Sequence, residues 1–154
     1  MLISYLPEWQ VSQGASLATA GLLLSLFLLS VTAGNFSSGF LSARLGSWRL
    51  IFVALLLLSP TFWLFLNGGT VLGTAALLFF GLLIGVSNPI AILMAQEAWP
   101  QGVGLASALA IGIGSLPSGI GAWTIGRLAD QTSLGYAFST VTWVPLISVV
   151  AIVA

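Results

Sequence analysis

Residues 50–96 form a run of 47 positions without one charged side chain. A helix rises 1.5 Å per residue and needs about 20 residues to cross a bilayer core. The run is therefore long enough for two crossings, and Asn67-Gly68-Gly69-Thr70 supplies turn chemistry between them. The remaining charges, Glu8, Arg44, Arg49, Glu97, Arg127 and Asp130, leave three more uncharged intervals, 9–43, 98–126 and 131–154. The pattern predicts an all-α polytopic membrane protein with five transmembrane helices, near 16–41, 48–66, 70–95, 103–125 and 135–154. A soluble fold is excluded by the surface it would need: 58% of residues are hydrophobic and 4% charged, against roughly 45–50% and 25% in soluble domains.

The same scarcity excludes most chemistry. With no histidine or cysteine, the chain has no thiolate or imidazole metal set and no Ser-His-Asp triad. Neither a cofactor nor an enzymatic activity is expected. No basic patch exists to meet a nucleic acid. No Asp, Glu, Lys or Arg falls at mid-membrane depth in any of the five spans, so a proton-coupling carboxylate is expected outside this chain.

Residues 1–15 are expected to be the tail of a helix that begins elsewhere, followed by an outer loop; an interfacial turn is the alternative. Ala154 also lies within an apolar run, so both ends are expected to belong to something larger. Arginine placement sets orientation. With the Arg44/Arg49 segment cytoplasmic, Asn67–Thr70 faces outward, Glu97–Gly102 inward and Arg127–Asp130 outward. Trp9, Trp63, Trp123 and Tyr136 then anchor the outer surface, and Trp48 and Trp99 the inner one. The expected location is the cell inner membrane, with the lipid bilayer as solvent.

Small residues mark contact faces. Gly81-xxx-Gly85 permits close backbone approach. The fourth span is richer, with Gly102, Gly104, Gly112, Gly114, Pro117, Gly119, Gly121 and Gly126, and is expected to be bent or tightly packed.

The stretch Gly39-x-Leu41-x-Ala43-Arg44-x-Gly46-x-x-Arg49 resembles the cytoplasmic loop signature of the major facilitator superfamily, Gly-x-Leu-Ala-Asp-Arg-x-Gly-Arg-Arg/Lys. Ala43 stands where that family has aspartate, a departure commoner in the second half of such transporters. Gly114-Ser115-Leu116-Pro117-Ser118-Gly119-Ile120-Gly121 is similar to the family's helix-bending Gly-Pro motif, with imperfect spacing. Around Gln96–Gly104, Glu97 matches an inner-loop glutamate, while Gly104 replaces its arginine partner. The resemblance implies helices eight to twelve of a twelve-helix transporter, and its wording is most similar to fosmidomycin-resistance-type drug exporters. It further implies alternating-access transport of a small molecule, with drug efflux by proton antiport as its finer form. A missing N-terminal half or a partner subunit would complete the pathway. A small non-transporting membrane subunit, or an inactive truncated gene product, is the alternative. An internal echo, Gly39-Phe40-Leu41-Ser42-Ala43 against Gly126-Arg127-Leu128-Ala129-Asp130, matches a 3+3 inverted repeat.

Three sets of site residues follow. Gly39, Arg44, Gly46 and Arg49 form the loop motif: either topology-setting charges, or a gate in which Arg44 pairs with Glu97. Asn35 and Asn88 either line the substrate path or bond neighbouring helices. Gly114, Pro117, Gly119 and Gly121 serve either packing or a hinge.

Overall fold

In the computed structural model, residues 2–12 and 14–131 are described, and every regular element among them is helical. The elements are α1 (Leu2–Ser12), α2 (Leu17–Leu45), α3 (Ser47–Asn67), α4 (Gly69–Ala98), a 3-10 turn (Pro100–Gly102) and α5 (Val103–Gln131). Four of these are long and apolar enough to cross a membrane, which bears out the all-α polytopic reading. The expected span at 135–154 lies outside the described residues.

Both joints in the middle of the bundle are minimal. Gly46 alone separates α2 from α3, at φ +83°, a conformation open to glycine without strain. Its N–H donates to the Ser42 carbonyl at 2.9 Å, and its carbonyl accepts from Leu50 N at 3.1 Å. The Gly39–Arg49 stretch is therefore a helix end, a one-residue elbow and a helix start, so α2 runs to Leu45 where the spans near 16–41 and 48–66 left a longer connection. Length supplies the reason. At 29 residues, α2 is about 43 Å long, longer than the roughly 30 Å hydrocarbon core, so the helix has turns to spare beyond the apolar layer and continues through the exposed Arg44. The α3–α4 turn falls where expected, with Gly69 at φ +68°.

Helix α4 is the centre. It packs on α2, α3 and α5, while α1 lies against α2. Since α3 reverses the direction of α2 and α4 reverses it again, α2 and α4 run parallel. Their crossing is built from backbone. A β-carbon on Gly34 would overlap the Leu82 carbonyl, and one on Gly85 would overlap the Val31 carbonyl. One on Gly81 would sit 3.0 Å from both the Phe27 ring and the Phe27 carbonyl. With lipid tails as apolar as leucine, helices associate in a bilayer through such close packing rather than by escaping water.

Bulky residues fill the space beside the crossing. Phe27, Leu58, Phe62, Leu77 and Phe80 form the main buried cluster, which reaches Leu6 of α1. Phe62 lies 5.1 Å from Phe80 and 5.9 Å from Phe65, ring to ring. Pro60 and Pro89 sit inside α3 and α4, each removing one helical hydrogen bond, a loss tolerated when the freed carbonyl lies among neighbouring helices. Beside Pro60, Ser59 is buried and its Oγ has no hydrogen-bond partner among the described residues.

The glycines of α5 behave differently from those of α4. Added β-carbons at Gly104, Gly112, Gly114 and Gly119 meet nothing within 4 Å. The tight packing expected there is not made among the described residues, because α5 has α4 as its main described neighbour. Helix α5 continues through position 117.

A candidate translocation face

Helix α2 presents three unlike faces. Ala20, Phe27, Gly34 and Ser38 point into the bundle. Leu22, Leu29, Phe36 and Phe40 are exposed and bulky, 60–85% accessible, as a lipid-facing flank should be. Between them, at a spacing of four and three, run Gly21, Ser25, Leu28, Thr32, Asn35 and Gly39, all exposed. Residues at that spacing share one helix face. Apart from Leu28, this third face is small or polar.

The hydroxyls of α2 are satisfied within their own helix or its cap. Ser25 donates to Gly21 O at 2.9 Å, Ser30 to Leu26 O at 3.0 Å and Thr32 to Leu28 O at 2.9 Å. Ser37, Ser38 and Ser42 each reach back three residues, at 3.0, 2.7 and 3.0 Å. Thr19 shares its hydroxyl with Ser16 at 2.9 Å. The two amides deep in the spans are not so placed. Asn35 and Asn88 are both exposed, and neither side chain makes a hydrogen bond among the described residues. The interhelical bond that was the alternative reading of Asn88 is therefore absent from them. A β-carbon on Gly85 would lie 3.0 Å from Asn35 N. Asn88, three residues along α4, is thus less than one turn, about 4.5 Å, from the level of Asn35.

At the motif, Arg44 stacks its guanidinium over Phe40, 4.3 Å from the ring centroid. No ion pair forms among the described residues, so Arg44 and Glu97 are not brought together as a gate pair; both are exposed, as is Arg49. Gly39 borders an open apolar groove of about 350 Å³ with Ser38, Pro89, Ile90, Leu93 and Gln96. The contact that does tie this end together is neutral: Gln96 Nε2 donates to Ser107 Oγ at 2.8 Å, joining α4 to α5. Trp99 folds over Gly102, where an added β-carbon would meet the indole at 3.1 Å. A reading of charges passes over Gln96 and Ser107; their one sequence signal is that both flank a turn poor in charge.

The echo also has a structural form. Residues 39–43 and 126–130 both lie in the closing turns of their helices, α2 and α5. Arg127 stacks over Trp123 at 4.7 Å, as Arg44 does over Phe40, each arginine four residues after its ring. Because α5 runs antiparallel to α2, the two pairs mark opposite ends of the bundle.

Two curated relatives are similar to the chain. The fosmidomycin resistance protein of Escherichia coli (strain K12) is 29% identical over 140 residues, 90% of this chain and 34% of the relative. The uncharacterized MFS-type transporter YfnC of Bacillus subtilis (strain 168) is 29% identical over 136 residues, 88% of this chain and 33% of the relative. The chain thus spans about a third of the length of these relatives. No family model and no solved structure matches it. The resemblance to the major facilitator superfamily is borne out by this similarity, which extends over about nine-tenths of the chain.

Proposed function

We propose that this piece of a major-facilitator-type transporter forms one wall of a path that carries a small molecule across the membrane by alternating access. The carrying observation is the pair Asn35 and Asn88, both exposed, without a side-chain hydrogen bond among the described residues, and within one helical turn of the same level on two parallel helices. An amide left facing hydrocarbon without a partner costs several kcal/mol, on the order of 4–8 on the alkane scale. Intramembrane polar groups accordingly face a bundle interior or a water-filled cavity. The small, polar face of α2 continues that surface along the helix.

In this reading the cell inner membrane holds the chain with Arg44 and Arg49 on the cytoplasmic side. The opposing wall comes from the part of the transporter that the relatives possess beyond this region, or from a partner subunit. Gly39, Gly46 and Arg49 shape the cytoplasmic elbow, and Arg44 anchors it. Drug efflux is a finer form of the proposal, supported by the name of the fosmidomycin resistance protein alone; proton antiport rests on the family resemblance, with its coupling carboxylate outside this chain.

The chain contains no cysteine, so accessibility is directly testable. Single cysteines at Thr32, Asn35 and Asn88 are expected to react with a membrane-impermeant maleimide, and cysteines at Leu29 and Phe36 to stay unlabelled. Equal protection at all five positions would rule out a water-lined wall and favour a non-transporting subunit. Efflux is tested separately, by growth of expressing cells in fosmidomycin with and without alanine at both asparagines.

A further inference from the structure

At the end of the bundle opposite Gly46, the α1–α2 hairpin meets the α3–α4 hairpin without filling the space between them. Between them lies an open crevice of about 540 Å³, within the roughly 300–1,000 Å³ of cavities that hold drug-sized ligands. One wall is aromatic: Trp9 tilts against Phe65 with centroids 5.0 Å apart. The other groups are polar and neutral. Gln10 is half-buried, and its side-chain amide makes no hydrogen bond among the described residues. Thr74 Oγ1 donates its proton to Thr70 O at 2.6 Å, which leaves the hydroxyl lone pairs to accept. Thr19 and Thr70 add two more hydroxyls to the lining. Glu8 is exposed and does not line the space.

We propose that this crevice binds a neutral, ring-bearing small molecule that donates hydrogen bonds, such as an aromatic carboxamide. The ring packs on the Trp9–Phe65 wall, where aromatic pairs gain beyond their buried area. The N–H groups meet the threonine hydroxyls and the Gln10 carbonyl. A charged ligand is disfavoured because the lining offers no counter-charge to a partly desolvated ion. Thr19 lies 16 residues before Asn35 on α2, about 24 Å along the axis, so this site is separate from the asparagine face and its occupancy is measured without transport.

The test is photolabelling of the purified chain in phosphatidylcholine nanodiscs, with adducts mapped by peptide mass spectrometry. The probe is 4-benzoylbenzamide, a neutral benzophenone carboxamide; its anionic counterpart is 4-benzoylbenzoate. Adducts of the amide are expected to concentrate in residues 9–23 and 65–74, about tenfold above the anion, the factor that 1.4 kcal/mol of unpaired charge produces. Ala15→Phe, which places a ring in the crevice, and Thr74→Val, which keeps the shape but removes the hydroxyl, are each expected to reduce them. Three results overturn the proposal: adducts spread over the lipid-facing Leu29 and Phe36, equal labelling by amide and anion, or wild-type labelling in a Thr74→Val chain of native helicity. Capture there of a benzophenone-tailed phosphatidylcholine that the amide fails to displace would make the crevice a lipid seat, and overturns it equally.

Discussion

Replacing Gly85 by alanine is expected to loosen the bundle, although alanine is the better helix former. The intrinsic preference favours the substitution by about 1 kcal/mol. Against it, the new β-carbon overlaps the Val31 carbonyl and lies 3.0 Å from Asn35 N. Both are backbone atoms of a helix, so no rotamer change relieves the overlap and α2 has to move away from α4. The separation is felt at Gly34 and Gly81 as well, because they belong to the same crossing. Overpacking costs about 1–3 kcal/mol, and backbone against backbone belongs at the upper end. The net loss is then about 2 kcal/mol, roughly thirtyfold in the folding equilibrium. Gly21→Ala on α2 is the control, since nothing lies within 4 Å of its β-carbon; it is expected to be neutral or stabilising. The assay is unfolding of the purified chain by dodecyl sulfate titration in mixed micelles, followed by far-ultraviolet circular dichroism. If Gly85→Ala proves as stable as Gly21→Ala, the glycine crossing is not what holds α2 to α4. A further check is that Gly34→Ala and Gly85→Ala combined fall short of additivity, as expected for neighbours in one contact.

Three other outcomes are expected in the same assay. A double-mutant cycle on Gln96→Leu and Ser107→Ala should return a coupling of about 1 kcal/mol, the usual net worth of a protein hydrogen bond. Glu97→Gln should leave stability unchanged, because Arg44 stacks on Phe40 instead of pairing with it; Phe40→Leu should cost about 0.5–1 kcal/mol, the value of an exposed cation–π contact.

What the sequence disclosed was mostly local. Gly68-Gly69 was readable as a turn because glycine at positive φ needs no distant partner. Gly81 and Gly85 were readable as a contact face because small residues one turn apart bring backbones together wherever they occur. Their partners Val31 and Gly34 were not readable, since that pairing skips α3 and depends on the parallel course of α2 and α4. The Gly39–Arg49 stretch was legible as a membrane-surface segment but not as helix, because arginine at headgroup level is compatible with either. In α5 the glycine density pointed to packing, yet density names no partner, and α4 covers only one side. Charge reasoning offered Arg44 and Glu97 as a pair; the tie actually made at that end, Gln96 to Ser107, is uncharged and gave such reasoning nothing to detect. Asn35 and Asn88 were visible by their depth in apolar sequence, while their exposure and their lack of side-chain hydrogen bonds among the described residues required the fold.

The crossing of α2 with α4 also bears on the order of assembly. Gly34 and Gly85 are 51 residues apart, so at about 5–20 residues per second the ribosome makes the second some 3–10 s after the first. During that interval α2 waits in the membrane with its future contact face uncovered. It can wait because its serines and threonines are already bonded to their own helix or its cap, from Thr19 with Ser16 to Ser42 with Gly39. Asn35 alone among its uncharged polar side chains has no such internal bond, and so it is the one point at which the nascent helix still needs water or a companion.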